Sequence, residues 1–126
     1  MSGERARGFT LIELLVVMAI IALLLSLAVP RYYRSLQHSK ETVLRQDLAT
    51  MRDAIDKYYG DLGHYPEELA TLVEKHYLRS IPVDPIMDSA EHWVAVQNDE
   101  GEDSGVRDVK SGAEGEAQDG TAFAEW

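Results

Sequence analysis

A single carboxylate, Glu13, interrupts a run from Phe9 to Val29 that otherwise carries no charge. An acid in such a run needs a reason, because at mid-membrane depth it opposes insertion by about 2.5 to 3.5 kcal/mol. The functional reason is a positive partner inside a bundle; the bland one is a carboxylate near a helix end, snorkelling to the headgroups. The other acids gather late in the chain and invite a metal reading. Asp99 and Asp103 do not fit an EF-hand, since Gly101 occupies a ligand position and Ser104 stands where glycine is required. Runs of acid are more often simply solvated. The four histidines, His38, His64, His76 and His92, are scattered. With no H-E-x-x-H, G-x-S-x-G, P-loop or G-x-G-x-x-G in the sequence, no catalyst is recognisable and the chain reads as a non-enzyme.

The element that must hold Glu13 is the apolar run itself. As a helix rising about 1.5 Å per residue it is roughly 31 Å long, the hydrocarbon thickness of a bilayer. Before it come Arg5 and Arg7 against Glu4, and after it an acidic body. Residues 99–126 alone hold nine acidic and two basic side chains, within a net charge of −10 for the 126 residues. Basic residues before the span orient the amino terminus to the cytoplasm. The same acidity argues against nucleic acid as a partner, which wants a basic patch. With no cysteine there is neither a disulfide framework nor a thiolate metal site. An ordinary secretory signal is the competing reading, with an h-region at 14–25 and Ser26-Leu27-Ala28 as its cleavage site. It would place Phe9 to Ile12 and then an acid inside what should be a basic n-region, and so fits less well.

A short basic leader ending in Gly8, Phe9 opening the apolar run, and an acid five positions along make up G-F-T-L-I-E. This resembles the prepilin signal of type IV pilins and type II secretion pseudopilins. The resemblance implies that a membrane prepilin peptidase cuts between Gly8 and Phe9 and that Phe9 becomes the N-methylated terminus. It also implies that Glu13 pairs with the amino group of Phe9 on a neighbouring subunit during assembly.

Beyond Pro30, which removes a backbone donor and can bend a helix, polarity becomes periodic. Leu44, Leu48, Met51, Ile55 and Tyr58 recur at spacings of four and three residues, predicting a helix that continues to Tyr59 and stops at Gly60. The stripe suits a coiled-coil seam or a local sheet, and it covers too few heptads to insist on the former. A turn at 61–66 leads into a second helix over Glu67 to Tyr77, with Pro66 at its first position. Leu78 to Pro85 is an irregular link. Strands are predicted at 92–97, 106–110 and 121–126, separated by acidic, glycine-bearing loops.

The segments G-x-Y-P (63–66), Y-L-R-x-I-P-x-D-P (77–85) and the D-G-T ending (119–121) resemble the major-pseudopilin branch. That branch carries calcium in the last loop of the sheet, which maps here to Ser111 to Gly120 with Glu114, Glu116 and Asp119 as its acids. The expected architecture is α+β, type IV pilin-like: a long amino-terminal helix, transmembrane in its first half and amphipathic in its second, on a three-stranded antiparallel sheet. Its parts are a leader at 1–8, a transmembrane assembly helix at 9–29 and a periplasmic head at 30–126. The resemblance implies a single-pass inner-membrane protein that polymerises into a type II secretion pseudopilus. Its partners would be copies of itself, minor pseudopilins, the prepilin peptidase, and the inner-membrane platform with its secretion ATPase. The alternatives are a type IV pilus pilin and a membrane-anchored periplasmic binding module that never polymerises.

Overall fold

The computed structural model describes residue 8, residues 10–101 and residues 103–126. The chain divides into two units, residues 1–36 and residues 37–126. Helix α1, Leu11–Leu62, contributes to both and carries Pro30 inside it.

In the first unit every described residue is exposed, although most are Leu, Ile, Val, Ala or Met. A helix apolar on all faces and long enough to cross a bilayer is stable where its surroundings are apolar too. In this segment the Ser26 hydroxyl turns back to the Leu23 carbonyl at 2.7 Å, as serine commonly does inside a helix.

The second unit owns the core. Leu44, Leu48, Met51, Ile55 and Tyr58 are all buried, so the periodic stripe does face a packed surface. That surface is a local sheet and its loops, with Val106, Val109, Ala113 and Phe123, together with Leu72 of the short helix that follows α1. Helix α1 ends later than Gly60 because the left-handed residue its exit requires is Gly63, at φ 76°, whose amide bonds the Tyr59 carbonyl at 2.8 Å.

Helix α2, Leu69–Glu74, is shorter than the predicted 67–77. Its start is delayed because Pro66 is buried and its carbonyl is taken by the Val106 amide at 2.8 Å, which holds that residue beside the sheet. It ends early because His76 adopts φ 66° and the Tyr77 amide reaches the Leu72 carbonyl at 2.8 Å, a Schellman closure.

Strands β1, Trp93–Gln97, and β2, Val106–Ser111, pair antiparallel, with a register shift between Val96 and Gln97. The core-facing side of β1 is the one bearing Trp93 and Ala95, while Val94 points outward. The predicted third strand at 121–126 is not one, and the sheet has two strands. Ala122 makes a single bridge to Glu116, then Phe123–Glu125 tightens into a 3₁₀ turn. Phe123 is buried and stacks edge-on against Trp126, with ring centroids 5.2 Å apart. Bringing the two aromatics onto one side, three residues apart, needs the three-residue period of that turn, whereas a strand would send them to opposite faces.

The link at 78–85 is irregular, as predicted, and Asp84 organises it. Its carboxylate is completely buried and accepts the Ser111 hydroxyl and the amides of Ile86 at 2.8 Å and Met87 at 3.3 Å. The link is also fastened at Pro82, whose carbonyl accepts the Trp93 indole at 2.8 Å. A buried carboxylate with several donors is satisfied without a cation.

Candidate assembly and processing site

Gly8 is exposed, and Phe9 lies outside the described residues, so the geometry of the junction begins at Thr10. Thr10 and Glu13 form a reciprocal pair. The Glu13 amide donates to Thr10 Oγ1 at 3.1 Å, and the Thr10 amide donates to Glu13 Oε2 at 3.4 Å. This is a capping box, in which residues at the N-cap and three positions on satisfy two of the orphan amides of a helix start. T-x-x-E was readable in the sequence and was the signal for it. Here Glu13 works at the start of its own helix, its carboxylate turned back toward the amino-terminal side. A carboxylate is also favoured there by the partial positive charge of the helix amino end.

Farther along α1, one row of polar side chains holds the last loop. Glu41 is buried, and its Oε1 accepts the Gln118 amide at 2.8 Å. Arg45 lies 3.2 Å from Asp119 Oδ2, and its guanidinium carbon sits 3.9 Å from the centroid of the Trp126 ring. Arg52 binds Asp108 at 2.8 Å and the Val109 carbonyl at 3.0 Å, and also donates to the carbonyl of Trp126. Asp119 further accepts the Thr121 hydroxyl at 2.6 Å and amide at 3.0 Å. Those two bonds, with Arg45 adding to them, hold its carboxyl below the usual carboxylate range.

The acids expected to bind calcium do not fit that ion. Among the described residues no three of the His, Cys, Asp and Glu side chains gather closely enough to hold a metal. Asp119 has both oxygens engaged by protein donors, while Glu114 and Glu116 are exposed. Calcium takes six to eight oxygens, and a loop whose one committed carboxylate already faces a guanidinium does not supply them. Asp103 is likewise used structurally, accepting the Tyr65 amide at 3.0 Å.

Residues 4–29 match the family described as the prokaryotic N-terminal methylation motif. Over 98 residues the sequence is 32% identical to type II secretion system core protein G of Escherichia coli (strain K12), an alignment covering 65% of this chain and 68% of that one. Over 101 residues it is 34% identical to the protein of the same name from Pseudomonas aeruginosa, covering 68% and 71%. A fimbrial protein, EcpC of Eikenella corrodens, is 33% identical over 82 residues, covering 61% and 54%. No solved structure matches the chain.

Proposed function

The chain belongs to the family of type II secretion system core protein G, and from that premise we propose how its amino-terminal helix serves the family's work. As a member it is a structural subunit of the type II secretion pseudopilus and not an enzyme. The observation that carries the mechanism is the wholly exposed helical stretch of residues 11–36, apolar as far as Val29 and with its one acid at the amino end. Such a surface is stable in lipid and, once extracted, against copies of itself. A head-to-tail contact whose rotation does not close then yields a filament.

In this reading residues 9–29 span the inner membrane with the amino terminus cytoplasmic, and residues 30–126 face the periplasm. The prepilin peptidase cuts between Gly8 and Phe9, and Phe9 is methylated. The secretion ATPase and inner-membrane platform drive extraction, and minor pseudopilins join the filament. Support comes from the methylation-motif match over residues 4–29 and from Arg5 and Arg7 preceding the span.

The Thr10–Glu13 box bears on how Glu13 acts. Its carboxylate is already drawn to the amino-terminal side of its own helix, onto the amide of Thr10, the residue that follows Phe9 in sequence. On assembly it meets the amine released at Phe9 of a neighbouring subunit, in a low-dielectric bundle. Breaking such a pair by removing one partner costs about 3 to 5 kcal/mol.

The test compares wild type with Glu13→Leu by sheared-filament yield and by intact mass of the membrane-extracted subunit. Wild type should show a mature chain starting at N-methylated Phe9, together with filaments. The variant should insert at least as well, since a charge is removed, and be processed, yet give no filaments. Normal filaments from the variant would overturn the role of Glu13. A mature terminus at Val29 would overturn the processing site.

A further inference from the structure

The loop between β2 and the 3₁₀ turn is closed on α1 by side chains of α1 itself, and its geometry indicates what takes the place of a metal. Glu41, Arg45 and Arg52 stand four and seven residues apart, along one stripe of α1. All three reach the segment after Asp108 or its neighbours: Glu41 to the Gln118 amide, Arg45 to Asp119 and the face of Trp126, and Arg52 to Asp108 and the Trp126 carbonyl.

We infer that Arg45 is the resident cation of this loop, neutralising Asp119 and seating Trp126 so that residues 113–126 fold onto α1 without calcium. Three observations carry this. Asp119 has spent its oxygens on Arg45 and Thr121. The backbone amide that would otherwise open the loop, Gln118, is fixed by a buried carboxylate. The planar guanidinium binds a carboxylate through its edge and stacks its face on an aromatic ring, a geometry that neither a divalent ion nor the compact ammonium of lysine offers. The arrangement belongs to the 37–126 unit alone and holds whether or not the chain polymerises.

The experiment is thermal unfolding of the full chain in detergent micelles, followed by circular dichroism and tryptophan fluorescence, in calcium and in EGTA. Wild type should melt at the same temperature in both. Arg45→Gln should melt lower by roughly 2–6 °C, as expected for an exposed ion pair with an added ring contact. Asp119→Asn should also melt lower, and the double variant should lose less than the sum of the two single losses, because both singles remove the Arg45–Asp119 pair while only one touches the Trp126 ring and only the other the Thr121 bonds. Arg45→Lys keeps the charge but not the planar face and should fall between wild type and Arg45→Gln. A calcium-dependent rise in the wild-type melting temperature would overturn the inference. So would additive losses from Arg45→Gln and Asp119→Asn.

Discussion

Among single residues, carboxylates decide the pH response of the head, and they do so with opposite signs. Asp119 is held below the usual range, first by the Thr121 hydroxyl and amide and then by Arg45. Its contribution is present above the ordinary carboxylate pKa and is lost as pH falls through the lower folded value. Asp47, on α1, is pushed up, first by partial burial and then by the charge of the buried Asp84. A carboxyl raised in the folded state binds its proton more tightly there, so it opposes folding at neutral pH and ceases to do so as pH falls through the raised value. Asp47→Asn should therefore melt higher than wild type at pH 7. The gain should vanish once the medium is acidic enough to protonate Asp47 in both states. A variant that melts no higher than wild type at pH 7 would show that burial and the Asp84 charge together do not penalise the Asp47 carboxylate.

At the scale of elements, the sheet depends on how closely β2 leaves β1. Trp93 pairs with Ser111, and the next residue, Gly112, lies so near His92 that an added Cβ would stand 2.0 Å from the His92 carbonyl oxygen. No rotamer relieves a clash between a Cβ and backbone, so the strands must part. Ser111 would move with them, and it is the residue whose hydroxyl reaches Asp84 in the link. Gly112→Ala should then cost about 2 kcal/mol or more and lower the melting temperature by roughly 8–16 °C. Equilibrium denaturation at neutral pH reads this, and a loss below half that size would mean that the strand end is free to shift.

At the scale of the whole molecule, the described residues bury a core in only one of the two units. Among the described residues, the buried core from Leu44 to Phe123 lies within residues 37–126, whereas residues 10–36 bury nothing within the chain. Folding of the head and insertion of the span should therefore be separable. A fragment of residues 37–126 is expected to be soluble and to unfold in one cooperative transition, with a far-ultraviolet spectrum that retains the α1 helix signal. A gradual, non-sigmoidal melt would show that the head relies on the span or on neighbouring subunits. The fragment should form no filaments, since the apolar surface that would bundle is gone.

Local chemistry was legible in the sequence. The apolar run around Glu13 marked a helix long and apolar enough to cross a membrane, since that depends only on consecutive residue types. Period and spacing likewise placed the core stripe of α1, β1 and β2, because amphipathic patterns report which face is buried. The G-F-T-L-I-E motif named the family, which the relatives bear out. Gly63, His76 and Phe123 decided what local pattern could not. Whether Gly60 or Gly63 ends α1 turns on a left-handed backbone at one of two nearby glycines, and His76 takes such a conformation where residue type alone would not suggest it. Alternation in Thr121 to Trp126 suggested a strand, but Phe123 gains more by entering the core beside Trp126 than by extending the ladder. The acids of the last loop read as metal ligands in one dimension. Only the tertiary structure brings Arg45, 74 residues away in sequence, against Asp119.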